Sequence, residues 1–153
     1  MKIAIGSDHA GYDLRKIVID HLDSKGVEVQ DAGTYTNDST HYPIYAQKVA
    51  KAVTAGEVDF GILICGTGVG IGISANKIPG IRCAPVSDCY SARMARAHNN
   101  ANILALGGRV LGFGLAIEIV DTWLSQEFEG GRHQTRVDLI SKIEQGEDIS
   151  SQG

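Results

Sequence analysis

Five short runs rich in apolar residues, at 2–6, 27–31, 60–65, 81–86 and 102–107, alternate with longer stretches of helical periodicity. Most of the runs are near-continuously apolar, the pattern of strands covered on both faces in a parallel sheet. The stretches 13–24, 43–55, 71–77 and 87–97, with 115–125 after the last run, carry apolar residues at helical spacing; Leu14, Ile17, Val18 and Leu22 form one such stripe. Strand and helix in strict alternation predict an α/β fold: a single doubly wound five-stranded parallel sheet with helices on both faces. Right-handed crossovers point to the order 2-1-3-4-5 of flavodoxin-like, Rossmann-like sheets. A C-terminal helix is expected over 134–144, so 1–145 reads as one domain and 146–153 as a polar tail.

A chain of 153 residues, 43% hydrophobic and 21% charged, matches one globular domain with a core of its own. The formal charge of -4, with no basic stripe, argues against a nucleic-acid partner. The opening Lys2-Ile3-Ala4-Ile5 lacks the pattern of a secretory leader and no run is long enough for a bilayer, so the expectation is a cytoplasmic protein without a membrane partner. Cys65, Cys83 and Cys89 are odd in number and lack CxxC spacing, which fits a reducing compartment and disfavours disulfides and structural zinc.

Open α/β sheets bind ligands beyond the carboxyl ends of their strands, where the strand order reverses. Here that point lies between the first and third strands, and the residues just past them are Ser7-Asp8-His9 and Cys65-Gly66-Thr67. A carboxylate, an imidazole, a thiol and a hydroxyl should therefore converge. Cys65 ends an apolar run and is followed by alternating glycines, Gly66, Gly68, Gly70 and Gly72. Such a loop lets backbone N–H groups gather around an anion, and near amide donors the thiolate form is favoured. The pairing suits abstraction of a proton beside a carbonyl, with the enediolate held by the amides. The plain alternative is a buried structural cysteine. A P-loop is excluded because no Gly-Lys-Ser/Thr is present, and the glycine spacing fits only a loose dinucleotide fingerprint.

Each remaining polar residue admits two readings. Asp8 can cap the helix that follows, which leaves His9 without a role; Thr67 can be a simple loop hydroxyl. Arg109, after the last strand, faces the ligand side or is merely solvated. Arg132 and Arg136, spaced i, i+4, form a phosphate clamp or a charged helix face. His98 and Asn99 follow the fourth helix and so belong at the amino-terminal edge of the sheet, opposite the crevice. They are either a turn or groups delivered to the crevice of a second subunit. His21, Tyr90, Met94 and Trp123 are assigned to helix faces and packing.

Taken together, Gly6-Ser7-Asp8-His9-Ala10-Gly11, Ile64-Cys65-Gly66-Thr67-Gly68, Asp88 with Tyr90-Ser91-Ala92-Arg93, His98-Asn99 and Gly130-Gly131-Arg132-His133 resemble the ribose/galactose isomerase family, above all its type B ribose-5-phosphate isomerases. The resemblance spans nearly the whole chain. It implies an aldose–ketose isomerase acting on ribose 5-phosphate and ribulose 5-phosphate through a cis-enediol, without metal or organic cofactor. It implies Cys65 as the base that moves hydrogen between C1 and C2, His98 as the proton donor that opens the sugar ring, and Thr67 near the ring oxygen. Asp8 and His9 would bind substrate, and Gly66, Thr67, Gly68, Val69 and Gly70 would cradle the enediolate. Asn99, Arg109, Arg132 and Arg136 would complete substrate and phosphate binding. It further implies homodimers with shared active sites, or pairs of such dimers. Competing readings are an isomerase of a six-carbon phosphate such as allose 6-phosphate and a non-catalytic nucleotide-binding module. The chain departs from the family at His41 and Ile44, flanking Tyr42-Pro43, where acidic residues are frequent.

Overall fold

The computed structural model describes residues 1–152. Five parallel strands form one sheet: β1 (Lys2–Ser7), β2 (Glu28–Asp31), β3 (Phe60–Cys65), β4 (Cys83–Pro85) and β5 (Ile103–Gly107). The helices are α1 (Tyr12–Ser24), α2 (Tyr42–Thr54), α3 (Val69–Ala75), α4 (Cys89–Ala97), α5 (Phe113–Leu124) and α6 (Arg132–Glu144), with one turn of 3₁₀ helix at His9–Gly11. None is long and apolar enough to cross a membrane.

Side chains alternate across the sheet and build two cores. Ile3, Ile5, Ile62, Ile64, Leu104 and Leu106 pack against α1, α4 and α5, while Ala4, Leu63, Cys65, Ile103 and Ala105 pack against α2 and α3. Trp123, fully buried, meets Phe60 edge-on at a centroid distance of 5.3 Å and closes the first core. Local chemistry agrees with the ends of the helices. Pro43 lies in the first turn of α2, and the Asp88 side chain caps α4 by accepting from the Ser91 amide at 2.7 Å. That hydrogen bond holds the Asp88 carboxyl below the usual range.

The fold class is the expected one, but the order is β2-β1-β3-β5-β4 rather than 2-1-3-4-5. The fourth strand is only three residues long, is buried at Cys83 alone and ends on Pro85, which cannot donate to a ladder. β5 is buried at every position. The long apolar strand therefore takes the interior beside β3, and the proline-bearing one takes the edge. Crossover handedness then moves a helix. The chain steps right from β3 to β4 and back left to β5, which puts α4 on the face of α1 and α5 instead of that of α2 and α3.

Hydrogen exchange tests this order. Amides of β5 should open only with global unfolding, whereas those of β4, paired on one side alone, should exchange through cheaper local opening. Equal protection of the two strands would contradict the assignment.

Candidate active site

The carboxyl ends of β1 and β3 are joined directly, Asp8 N–H donating to Ile64 O at 3.2 Å. Asp8, 5% exposed, caps the 3₁₀ turn: its Oδ1 accepts from the amides of Ala10 (2.9 Å) and Gly11 (3.2 Å). The capping role is therefore real, and both bonds fall on one oxygen, so the same carboxylate can also line the crevice. His9 Nδ1 accepts from the Thr40 amide at 3.2 Å, which makes Nε2 the protonated nitrogen of the neutral ring.

Cys65 closes β3 at 4% exposure, and its Sγ accepts from the Gly68 amide at 3.2 Å. Gly68 has φ 78°, and a Cβ there would lie 2.9 Å from the Leu106 carbonyl carbon, so the turn needs glycine twice over. Two amides of the loop are engaged by side chains, Gly68 by the thiol and Val69 by Thr67 Oγ1 at 3.3 Å. Gly70 stays in the first turn of α3, where N–H groups have no helical partner. Its missing side chain makes room for Tyr42, whose ring carbon Cζ would be 2.7 Å from a Cβ.

These segments enclose a crevice of about 500 Å³. It gathers eight of the sequence-predicted residues: Asp8, His9, Cys65, Gly66, Thr67, Val69, Gly70 and Arg109. Gly68 shapes the loop rather than lining it. Arg109 arrives because the loop after β5 is bonded to the loop after β3, Gly108 N–H to Cys65 O at 2.8 Å and Arg109 N–H to Gly66 O at 3.0 Å. Sequence reasoning did not assign Thr40, His41 and Tyr42, which close the crevice from the start of α2. Their signal was topological: they follow the carboxyl end of β2, the neighbour of β1.

His98, Asn99, Arg132 and Arg136 do not join this crevice. His98 caps the carboxyl end of α4, near the amino ends of β3 and β5, where Gly61 N–H donates to Asn102 O at 2.9 Å. Asn99 lines a separate groove of about 450 Å³ with Arg82, Cys83, Ile140, Ile143 and Glu144. Arg132 and Arg136 are exposed on the first turns of α6. The buried His133 between them stacks on His98, centroids 3.9 Å apart and planes 7° apart. Glu129 Oε2 lies 3.7 Å from His98 Nε2 and 3.5 Å from His133 Nε2. Burial pushes the His133 imidazole below its ordinary range, and the charges of His98 and Arg132 push the same way against Glu129. Ligand atoms of His98, Glu129 and His133 lie within 4.8 Å of one another. The two rings are parallel, however, so their nitrogen lone pairs run side by side rather than converging on an ion.

A thiol, a carboxylate and an imidazole collected at the switch point of a doubly wound sheet define a small-molecule enzyme site suited to proton transfer. The ribose/galactose isomerase profile matches residues 3–140, and the chain belongs to that family. Ribose-5-phosphate isomerase B of Escherichia coli (strain K12) is 56% identical over 144 residues, 94% of this chain and 97% of the relative. The structure of Clostridium thermocellum ribose-5-phosphate isomerase B superposes with a TM-score of 0.95 at 59% identity, covering 95% of this chain and 99% of that one. Ribose-5-phosphate isomerase B of Mycoplasma genitalium, solved with bound ribulose-5-phosphate, gives a TM-score of 0.91 at 44% identity and covers 95% and 97%.

The two buried thiols should behave differently. Both border a cavity, but burial pushes Cys83 up to about 12, so it stays protonated and unreactive at any ordinary pH, whereas the Cys65 sulfur accepts the Gly68 N–H beside the crevice. Iodoacetamide at pH 8 followed by peptide mass spectrometry should label Cys65 in the folded protein and reach Cys83 only after unfolding. Early labelling of Cys83 would contradict this electrostatic picture.

Proposed function

We propose that this protein interconverts D-ribose 5-phosphate and D-ribulose 5-phosphate through a cis-enediolate, with Cys65 as the base. The observation that carries the reading is the Cys65 thiol at the end of β3, held by the Gly68 amide and open to a crevice that also contains Asp8, His9 and Arg109. Family membership supports the reaction class. Ring opening comes first, because the cyclic sugar has no carbonyl. The anomeric O–H gives its proton to Asp8, the bond from C1 to the ring oxygen breaks, and the ring oxygen takes a proton from His98 as C1=O forms. The Cys65 thiolate then removes the C2 proton; the C–H pair becomes the C1=C2 bond and the carbonyl pair moves to O1. Amides of the Gly66–Gly70 loop carry that charge. The O2 proton passes to O1, C2=O forms, and Cys65 returns its proton to C1. Thr67 lies near the ring oxygen in this pose.

His98, Asn99, Arg132 and Arg136 enter from a second copy of the chain, since all four lie outside the crevice of their own. The homodimer that results, alone or as a pair of dimers, is supported by the unpaired edge of β4 and by Ile140 and Ile143, exposed on α6. Arg132 and Arg136 meet the phosphate together with Arg109 and His9. No cofactor enters the reaction, and the setting is the cytoplasm, in keeping with three free thiols.

Cys65→Ala should lower kcat by at least about 100-fold, the usual contribution of a positioned base, while KM changes little. Loss of deuterium from ribose 5-phosphate labelled at C2 should stop in the same variant. A variant that keeps its kcat, or that still exchanges the C2 label, would mean that another group is the base.

A further inference from the structure

The two imidazoles at the amino-terminal edge share one carboxylate but not one environment. His98 presents a third of its side chain to solvent, whereas the His133 side chain is 7% exposed. Glu129 is tied to the residue before His98, its N–H donating to Ala97 O at 3.0 Å, and His133 N–H donates to Gly130 O at 3.0 Å. The three side chains are therefore held by backbone bonds at the end of α4 and the start of α6. At a stacking distance of 3.9 Å two imidazolium ions repel, so the carboxylate can favour a charge on only one ring at a time.

Four arginines stand around the ends of α4 and α6, and Glu144, at the far end of α6, faces Arg82 across the neighbouring groove. Arg132 and Arg136 flank His133 on α6. Arg82 donates to the carbonyls of Asn99 and Asn100, and Arg96 to Asn100 Oδ1 and Ala101 O. Among the described residues, Glu129 supplies the one carboxylate in ion-pair contact with either ring. Its separations of 3.7 Å and 3.5 Å exceed a hydrogen bond and leave room to tighten on whichever ring is charged.

We propose that Glu129 and His133 are positioning residues for His98: the buried ring of His133 fixes the plane of the His98 imidazole, and Glu129 holds the proton on His98, leaving Nδ1 as the atom that donates to the sugar's ring oxygen. The inference rests on the reading that His98 opens the ring. It gives that step the parts it needs, a proton donor at Nδ1 whose other ring nitrogen faces a carboxylate. His133 stacks on the His98 ring instead of lining the crevice and acts through that neighbour.

The test compares Glu129→Gln and His133→Phe with the intact enzyme, using kcat/KM for ribose 5-phosphate against pH and NMR titration of the His98 ring. Glu129→Gln removes the counter-charge at an exposed position. The alkaline limb and the His98 titration should move to lower pH, with kcat/KM about two- to five-fold lower at neutral pH, as expected for a half-exposed ion pair. His133→Phe keeps a stacked ring and removes the competitor for Glu129, so both should move to higher pH. Opposite shifts are a signature that a merely structural role would not give. Unmoved limbs and titrations, or shifts of the same sign, would overturn the proposal. His98→Asn separates the two ideas: if it leaves turnover of cyclic ribose 5-phosphate intact, the ring-opening role itself fails, whatever the other variants do.

Discussion

At Gly68 the chain turns left-handed so close to the backbone of Leu106 that no side chain would fit between them, and the Gly68 N–H points back to Cys65 Sγ. One contact thereby fixes the direction of the thiol, the start of α3 and the spacing between β3 and β5. It exists only because β5 lies next to β3, in the register Cys65↔Gly107. The same adjacency brings Gly108 and Arg109 to the crevice. In the order 2-1-3-4-5 the loop after β4 would stand there instead, and Arg109 would be one strand too far away. The inner position of β5 is thus a condition for the site as well as a detail of the sheet.

Much of this was legible in the sequence, because strand and helix patterns obey different periods and the switch-point rule needs only their order. Asp8, His9, Cys65 and Thr67 could be assigned to one crevice from that rule alone, whereas Arg109 could be placed only on the ligand side of the sheet, because its arrival in the crevice depends on β5 lying beside β3. The β4–β5 exchange was not foreseen, since both orders satisfy crossover handedness. Pro85 within the fourth run was the available clue, being a residue that belongs at an edge. Thr40, His41 and Tyr42 escaped because nothing periodic marks a loop, and their place depends on the Thr40 amide reaching His9 and on the space left by Gly70. The stacking of His98 on His133 depends on how α6 returns to the end of α4, which no local pattern encodes.

Charge is divided between the two edges of the sheet. In a chain of net charge -4, His9, His41 and Arg109 stand at the carboxyl edge, while His98, Arg132, His133 and Arg136 stand at the amino edge. A sugar phosphate carries its reacting carbons and its phosphate only a few bonds apart and cannot bridge the two ends of one sheet. On the proposed reading, two copies arranged about a two-fold axis would bring the amino edge of each to the carboxyl edge of the other and give two equivalent sites.

The most direct measurement of that arrangement mixes inactive subunits. Cys65→Ala and His98→Asn chains, each expected to be nearly inactive alone, are dissociated together and allowed to re-form dimers. A mixed dimer has one crevice carrying both defects and one joining an intact Cys65 to an intact partner His98. With random pairing half of the dimers are mixed, so roughly a quarter of wild-type activity should return. No recovery, with subunit exchange demonstrated by mass spectrometry, would contradict the account and confine His98 to its own chain.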